Sequence, residues 1–294
     1  MLSQLRPDLI ITEDISAFFN SKAVVHVLRL DRIDPVISGN KWFKLRYYLD
    51  EVRLKQKRGI LSFGGAWSNH IVATAAACHN AGLESIGIIR GEKSDSPSPT
   101  LMQAGEYGMK LVHVSRADYA GKIIPAGIDT SEFLVVNEGG YGKTGAAGAS
   151  TILDHAEFNY THYGCAVGTG TMMAGLINKI NSDQQVTGIS VLKNNFQLQE
   201  SVHSLLDSQN KSWSIIHDYS FGGYAKHQPT LFEFMNDFYK QTGIPTDFVY
   251  TGKLFYAFND LIKKNHFPPS SKILLIHSGG LQGNTSISPG TLMF

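Results

Sequence analysis

The stretch GILSFGGAWSNHIVATAAACHNA, residues 59–81, decides the fold. Its first five residues are apolar or small and predict a buried strand, which Gly64 and Gly65 end in a turn. The small residues that follow predict a helix to about Ala81. A buried strand that turns directly into a helix is the repeating unit of an α/β fold with a parallel sheet.

The same alternation of strand and helix continues along the chain. Further strands are predicted at 85–89, 110–114, 133–136, 163–167, 187–192 and 272–276. Helices are predicted at 40–57, 102–109, 145–159, 171–180, 229–242 and 254–264. The pattern predicts two α/β units whose sheets are open, twisted and mostly parallel, with helices on both faces. Ligands of such folds bind at the carboxyl ends of the strands, in the crevice between the units.

The composition limits the classes of function. The chain has 294 residues, 43% of them hydrophobic and 17% charged, which suits about two globular domains and excludes an intrinsically disordered chain. Lys and Arg number 26 and Asp and Glu number 25, a formal net charge of +1. A nucleic-acid partner needs a basic excess, so we expect neither nucleic acid nor a membrane surface as partner.

The two cysteines and the N-terminus set further expectations. Cys78 and Cys165 cannot form a disulfide framework or a four-cysteine zinc site, so we expect two buried thiols and no metal. The charges within residues 1–20 fit neither a secretory signal nor a transit peptide. The longest stretch without charged residues, 59–83, is too polar to span a bilayer. We therefore expect a cytoplasmic protein.

Three loops at predicted strand ends are rich in glycine and small polar residues: 62–70, 167–171 and 277–280. In the second, Gly168-Thr-Gly-Thr171 leads from a strand into a helix. Glycines let a ligand approach the backbone, hydroxyls donate hydrogen bonds, and a helix N-terminus attracts anions. The loop matches neither the nucleoside-triphosphate nor the dinucleotide pattern. It predicts an anion site, and a tight turn without a ligand is the alternative.

Lys41 lies at the start of the helix predicted from residue 40, with Asn40 as its predicted N-cap. A cation at a helix N-terminus opposes the helix dipole. Such a field lowers the pKa of the amine, which a Schiff-base lysine requires. An ordinary surface lysine is the alternative that the sequence leaves open at this point.

Five elements together resemble one family in order and spacing. They are SGNKxxKL at 38–45, GGxxSNH at 64–70, the Gly/Thr loop at 168–171, YTGK at 250–253 and HSGG at 277–280. From about residue 25 to 285 the chain resembles the 1-aminocyclopropane-1-carboxylate deaminase/D-cysteine desulfhydrase family. Its members are pyridoxal-phosphate enzymes whose fold is similar to that of the tryptophan synthase β subunit, called fold type II.

The resemblance implies a domain division and a set of site residues. Residues 1–46 and 150–294 would form a large cofactor-binding domain, residues 47–149 a smaller α/β domain, and the active site would lie between them. The catalytic residues would be Lys41, Ser68, Tyr224 and Tyr250. Pyridoxal 5'-phosphate would be bound by Lys41, Lys44, Asn69, Gly168, Thr169, Gly170, Thr171 and Thr251. The substrate would be bound by Ser68, Asn69, His70 and Ser278.

Each role has a simpler alternative. Lys41 would hold the cofactor covalently and carry the Cα proton, and Lys44 would approach the phosphate unless it is a solvated helix lysine. Ser68 would contact the substrate unless it is a plain helix cap. His70 is equally an ordinary helix residue. Without the resemblance, Tyr224 and Tyr250 would be interpreted as aromatic side chains that pack in the core.

Thr251 discriminates between two reactions. It matches the position that faces the pyridine nitrogen, where members resembling the deaminases have a carboxylate and members resembling the desulfhydrases have Ser or Thr. A hydroxyl holds a proton on that nitrogen less well, which implies a weaker electron sink. Ser278 and His70 also match the desulfhydrases.

The resemblance therefore favours a lyase that acts on a small amino acid, most like D-cysteine desulfhydrase, which forms pyruvate, sulfide and ammonia. The alternative is a 1-aminocyclopropane-1-carboxylate deaminase, which forms 2-oxobutanoate and ammonia. A remote alternative is a nucleotide- or phosphometabolite-binding protein without pyridoxal chemistry. A homodimer is the family-level expectation.

The chain departs from the family at three places. Residues 27–32 lack a lysine and an acidic residue that members usually have, and Phe43 stands where many members have Arg. The segment 90–140, which lines the substrate entrance in the family, is short. The resemblance thus leaves the identity of the substrate open.

Overall fold

The computed structural model describes residues 6–208 and 210–294. In these residues ten strands form two sheets. The strands are β1 Thr12–Asp14, β2 Val24–Arg29, β3 Gly59–Gly64, β4 Glu84–Arg90, β5 Lys110–Val114, β6 Phe133–Val136, β7 His162–Val167, β8 Gln185–Ser190, β9 Ser212–Ile216 and β10 Lys272–His277. One sheet has the order β1-β2-β10-β7-β8-β9 and the other the order β5-β4-β3-β6.

The two sheets confirm the predicted α/β class. Every strand pair is parallel except β1 with β2, which is an antiparallel pair at one edge of the larger sheet. All four strands of the smaller sheet come from residues 59–136. The strands of the larger sheet come from the chain before and after that segment, so the smaller unit is an insertion within the larger one.

The helices surround the sheets. They are α1 Ser16–Phe19, α2 Asn40–Leu54, α3 Asn69–Ala81, α4 Pro99–Glu106, α5 Arg116–Ala120, α6 Lys143–Ser150, α7 Thr171–Lys179, α8 Leu198–His203, α9 Pro229–Thr242 and α10 Thr251–Lys263. None of the described helices combines the length and the apolarity that crossing a membrane requires.

Two local predictions are wrong. The helix predicted over 145–159 ends at Ser150, where the chain continues as a 3₁₀ turn, Thr151–His155. Asn40 is the first residue of α2 and not its N-cap, because Gly39 occupies the cap position with φ +61°. The sequence pattern also missed β1, β2 and β9, which are short or carry a partly exposed face.

The core of the larger unit is built around β10. This strand lies between β2 and β7, and its residues 273–277 are buried. Phe258 of α10 packs against this sheet and stacks on Phe267 with ring centroids 5.3 Å apart. Cys78 and Cys165 are buried free thiols, as predicted, and burial raises the pKa of each to about 12.

The substitution Leu275→Ala tests the importance of the central strand. Leu275 is fully buried on β10, so its truncation leaves a cavity and we expect the free energy of unfolding to fall by about 2–5 kcal/mol. Urea denaturation measures this change. The matched control is Leu54→Ala, because Leu54 is 83% exposed at the end of α2. Equal losses in the two variants would contradict the assigned core.

Candidate active site

The carboxyl ends of β3, β7 and β10 open onto one cavity of about 670 Å³. Its walls include the loops that follow these strands and the first residues of α2. Eleven of the predicted site residues line it: Lys41, Lys44, Ser68, Asn69, His70, Gly168, Thr169, Gly170, Tyr224, Tyr250 and Ser278. Thr171 and Thr251 are fully buried and lie outside this lining.

Gly39 brings Lys41 into the cavity. A Cβ at Gly39 would lie 1.9 Å from the carbonyl oxygen of Ser278, and the residue has a positive φ, so only glycine fits. The backbone N–H of Asn40 donates to the same carbonyl over 3.2 Å. The contact fixes the start of α2 against the loop after β10.

The Lys41 amine has the lowered pKa that the sequence predicted, but its cause is burial and not the field of the helix N-terminus. Its Nζ donates to Asn40 Oδ1 over 2.9 Å. Burial lowers the pKa of Lys41 to about 8, and the negative charge of Asp247 opposes this change. An amine with this pKa is partly unprotonated near neutral pH, so it can act as a nucleophile. The alternative of an ordinary surface lysine is wrong.

Lys44 is also buried, so the alternative of a solvated helix lysine is wrong as well. Its Nζ donates to the carbonyl oxygen of Gly139 over 3.2 Å. Burial, together with the positive charge of Lys41, lowers the pKa of Lys44 well below its usual value. An anion bound between these amines would relieve their repulsion and favour the charged form of each.

The Gly/Thr loop has the geometry of an anion site. Gly170 is the N-cap of α7 with φ +86°, and the hydroxyls of Thr169 and Thr171 lie 3.1 Å apart. A Cβ at Gly139 would lie 2.7 Å from the Thr169 side chain, so the loop that receives Lys44 packs closely on this loop. A helix N-terminus and a buried amine therefore line the same part of the cavity.

Ser68 and His70 begin α3. Ser68 is the N-cap, and its Oγ accepts from the N–H of Ile71 over 3.4 Å, so the cap role is present while the residue also lines the cavity. His70 Nε2 lies 2.9 Å from Ser62 Oγ, which itself donates to the carbonyl of Val136. Because the Ser62 hydroxyl donates its only proton to Val136, it can only accept from His70, so Nε2 carries the ring proton.

His70 is consequently neutral, and its Nδ1 is unprotonated. Its Nδ1 is buried without a hydrogen-bond partner among the described residues. Burial and the charges of Lys41 and Lys44 lower the pKa of His70 to about 3. The ring can therefore accept a hydrogen bond in the cavity but cannot serve as a cation at physiological pH.

Tyr224 and Tyr250 line the cavity with their rings edge to face, at a centroid distance of 6.1 Å. Lys41 Nζ lies 5.8 Å from the centroid of Tyr250. Burial raises the pKa of Tyr250 well above 10 and also raises that of Tyr224. Both phenols therefore remain protonated and can donate hydrogen bonds.

The loop before Tyr224 is held by a lysine that sequence reasoning missed. Phe221, Gly222 and Gly223 all have positive φ. The buried Lys253 Nζ donates to the carbonyl oxygens of Ser220 and Gly223, each over 2.7 Å. The YTGK element contained this lysine, but only the fold shows that it ties α10 to the Tyr224 loop.

Three further residues of the site were missed. Asp247 is fully buried, and its carboxylate accepts the Thr251 hydroxyl over 2.7 Å. Arg90 and Glu138 line the cavity and bring one charge of each sign. All three lie far in sequence from Lys41 and outside any motif, so no local signal could have connected them with it.

Comparison with known proteins identifies the family. A family described as pyridoxal-phosphate dependent enzyme matches residues 15–279 of the chain. The chain belongs to this family. Pyridoxal phosphate is therefore its cofactor, and the remote alternative of a nucleotide-binding protein without pyridoxal chemistry is ruled out.

Individual relatives agree with this membership. A protein of Pyrococcus horikoshii named "Putative 1-aminocyclopropane-1-carboxylate deaminase" is 27% identical, over 89% of this chain and 86% of that protein. The Arabidopsis thaliana bifunctional D-cysteine desulfhydrase/1-aminocyclopropane-1-carboxylate deaminase is 25% identical, over 84% of this chain and 70% of that protein. A crystal structure of an ACC deaminase homologue superposes with a TM-score of 0.82 at 25% identity and covers 95% of this chain and 92% of that one.

The residues of the cavity fit the cofactor. The ligand carries a phosphate, and the cavity offers a helix N-terminus beside the buried Lys44. The ligand carries an aldehyde, and the cavity offers Lys41 with a lowered pKa. A Cβ at Gly280 would lie 3.1 Å from Asn69 Nδ2, so this glycine leaves space for a ring beside the amide.

The pKa of Lys41 predicts a stability change in the cofactor-free protein. Its folded pKa of about 8 lies below the unfolded value of 10.5, so the unfolded chain binds more protons between these pH values. Lys41 thus lowers the free energy of unfolding below pH 8, and this destabilisation disappears as the pH rises to 10.5. We expect Lys41→Met to raise the free energy of unfolding at pH 7 by about 1–3 kcal/mol.

Urea denaturation of both cofactor-free proteins from pH 7 to pH 10 measures this difference, which should narrow as the pH rises. The control is Lys93→Met, because Lys93 is an exposed lysine outside the cavity. A gain at pH 7 that is equal in the two variants, or that widens with pH, contradicts the assignment.

Proposed function

We propose that the protein is a pyridoxal-phosphate lyase that eliminates sulfide from D-cysteine or a closely similar amino acid and forms pyruvate and ammonia. The observation that carries the proposal is the position of Lys41, whose amine has a lowered pKa and faces the cavity beside Tyr250. By the resemblance, Thr251 and Ser278 match the members that resemble the desulfhydrases.

The bound cofactor supplies an electron-withdrawing ring that stabilises negative charge at the substrate Cα. Lys41 would hold it covalently and would then carry the Cα proton, a role that suits an amine with a pKa near 8. Lys44, Gly168, Thr169, Gly170 and Thr171 would hold the phosphate. Asn69 would donate its amide to the ring oxygen, and Thr251 would lie at the nitrogen side of the ring.

The start of α3 binds the substrate carboxylate in this proposal. Ser68 caps the helix, and Asn69 is its first residue, so a carboxylate placed there meets the positive end of the helix dipole. His70 orients the turn through its bond to Ser62 and offers its unpartnered Nδ1 as a hydrogen-bond acceptor. Ser278 lines the opposite loop.

Tyr224 and Tyr250 donate protons near the substrate side chain. Both phenols are protonated at neutral pH, since the pKa of each lies above the ordinary tyrosine value of about 10. A phenol beside a departing sulfide can donate a hydrogen bond and stabilise the charge that develops on sulfur. Arg90 and Glu138 place one positive and one negative side chain in the cavity wall, where they can contact polar groups of the substrate.

We also propose that the two sheets define two domains, with residues 47–149 as the smaller one. Residues 1–5 of the larger domain lie outside the described part of the chain. The cavity walls come from both units, so an approach of the units would exclude water from the reacting atoms.

Deamination of 1-aminocyclopropane-1-carboxylate to 2-oxobutanoate and ammonia is the second candidate. One observation in this chain favours it: a buried carboxylate, Asp247, is hydrogen-bonded to Thr251. The names of two relatives, which mention this deaminase, also support the second candidate.

The visible spectrum tests the site of attachment. We expect the purified protein to bind pyridoxal phosphate with an absorbance band that borohydride reduction abolishes, and a peptide map to find the reduced adduct on Lys41. Lys41→Ala should lower lyase activity at least a thousandfold, because it removes both the attachment and the proton carrier. An adduct on another lysine, or full activity in the variant, would refute the role of Lys41.

Product analysis tests the substrate. We expect D-cysteine to give pyruvate and sulfide with a kcat/KM at least tenfold above that for L-cysteine, D-serine or 1-aminocyclopropane-1-carboxylate. Lactate dehydrogenase coupling and sulfide assay measure the products. Formation of 2-oxobutanoate from the cyclopropane amino acid as the dominant activity would replace the first candidate by the second.

A further inference from the structure

Asp247 is a fully buried carboxylate just before α10. Its Oδ1 accepts from the N–H groups of Val249 and Tyr250 over 2.9 and 2.7 Å. Its Oδ2 accepts from the N–H and the hydroxyl of Thr251 over 3.0 and 2.7 Å. Burial raises the pKa of Asp247, and the bonds from Tyr250 and Thr251, which are three of these four donors, act in the opposite direction. Since every one of them points at a carboxylate oxygen, the bonding pattern is that of the ionised form.

The carboxylate lies directly behind the cavity wall. Gly280 lines the cavity, and a Cβ at this position would lie 3.6 Å from Asp247 Oδ2 and 3.1 Å from Asn69 Nδ2. No side chain of residue 280 therefore stands between the cavity and the carboxylate. Asp247 also influences Lys41, whose pKa its negative charge raises against the larger effect of burial.

The hydrogen bonds of Thr251 determine what its hydroxyl can still do. Its Oγ1 accepts from the N–H of Asp247 over 2.8 Å and gives its only proton to Asp247 Oδ2. One lone pair remains. Toward any third partner the hydroxyl can therefore only accept, so that partner must carry the proton.

We propose that Asp247, acting through Thr251, keeps the ring nitrogen of the cofactor protonated. The proposal rests on the proposed function, in which Lys41 holds the cofactor and Thr251 lies at the nitrogen side of the ring. The nitrogen is para to the ring carbon that bears the aldehyde, so it points away from Lys41. Asp247 is in this sense a positioning residue, since it touches the cofactor only through Thr251.

The second carboxylate near the cavity is less suited to this role. Glu138 precedes Gly139, which packs on Thr169 of the anion loop, and its side chain is 41% exposed. Water solvates such a carboxylate and weakens its effect on a ring nitrogen. Asp247 is shielded from water, so its charge acts through a short, charge-assisted hydrogen bond.

Asp247 changes what a threonine at position 251 implies about the electron sink of the cofactor ring. A threonine at this position indicates a weak electron sink only if no acid lies behind it. With Asp247 one hydroxyl away, the ring can keep a strong sink, and the chain can support reactions that need one. The class of substrate then includes amino acids with poor leaving groups as well as those that lose sulfide.

Nitrogen NMR of the holoenzyme tests the proposal without any activity measurement. The protein is reconstituted with pyridoxal phosphate that carries ¹⁵N in the ring. We expect the wild-type signal in the pyridinium region. In Asp247→Asn the amide donates to Thr251, the hydroxyl turns its proton to the ring, and the signal should move to the region of neutral pyridine.

The matched control is Asp34→Asn. Asp34 is a second buried aspartate whose carboxylate accepts two backbone N–H groups, from Val36 and Ile37, and it does not line the cavity. This variant should keep the pyridinium signal. A shift of the ring signal that is equal in the two variants would overturn the proposal, because it would reflect general disruption.

Thr251→Val provides a second test if Asp247→Asn does not fold. Valine keeps the shape of threonine, and Asp247 retains its three backbone donors, so we expect the same move to the neutral region. Thr251→Ser should restore the pyridinium signal. If Ser278→Ala moves the signal and Thr251→Val does not, Ser278 is the partner of the nitrogen and the proposal is overturned.

The experiment separates this inference from the proposed function. Borohydride fixation on Lys41 is measured first in every variant. If the cofactor does not attach there, the proposed function fails. If it attaches and the wild-type nitrogen is neutral, only the role of Asp247 fails.

Discussion

The contact between Gly39 and Ser278 is the constraint on which the site depends. It joins the start of α2 to the end of β10, although the two residues are far apart in the chain. A side chain at Gly39 would displace one of the two loops. Because α2 is a rigid helix, the position of its first turn also fixes Lys41 and Lys44. The two amines therefore enter the cavity together, on one helix face.

Three lysines in or next to the cavity are shielded from water. Lys41, Lys44 and Lys253 all have lowered pKa values, and burial is the main cause in each case. Asp247 is a buried carboxylate whose charge acts on both Lys41 and Lys253. Burial disfavours the charged forms of these amines, and a phosphate bound beside Lys41 and Lys44 would favour them again. The same burial that lowers the amine pKa values therefore suits the cavity to an anionic ligand.

A second buried cluster supports the loop after β10. His277 Nε2 lies 2.7 Å from the carbonyl oxygen of Pro245, and its Nδ1 lies 3.2 Å from Asp31. Arg29 binds Asp31 and Glu13 in turn. The segment around Arg29, which departs from the family pattern in sequence, therefore forms ion pairs with Asp31 and Glu13. This cluster holds the strand that leads into Ser278 and Gly279.

The sequence by itself determined the α/β class and most of the strands, and it singled out Lys41, which the structure places in the wall of the cavity. These depend on local patterns, namely apolar runs, glycine turns and short motifs, that each lie within a few residues. The strands β2 and β9 were missed, and each carries a partly exposed face. Only the tertiary structure decided the state of the site. Whether Lys44 is solvated, which nitrogen of His70 is free and what lies behind Thr251 depend on burial and on contacts between distant segments. A carboxylate such as Asp247 has the same local sequence signal in a turn as in an active site, and its surroundings alone distinguish the two.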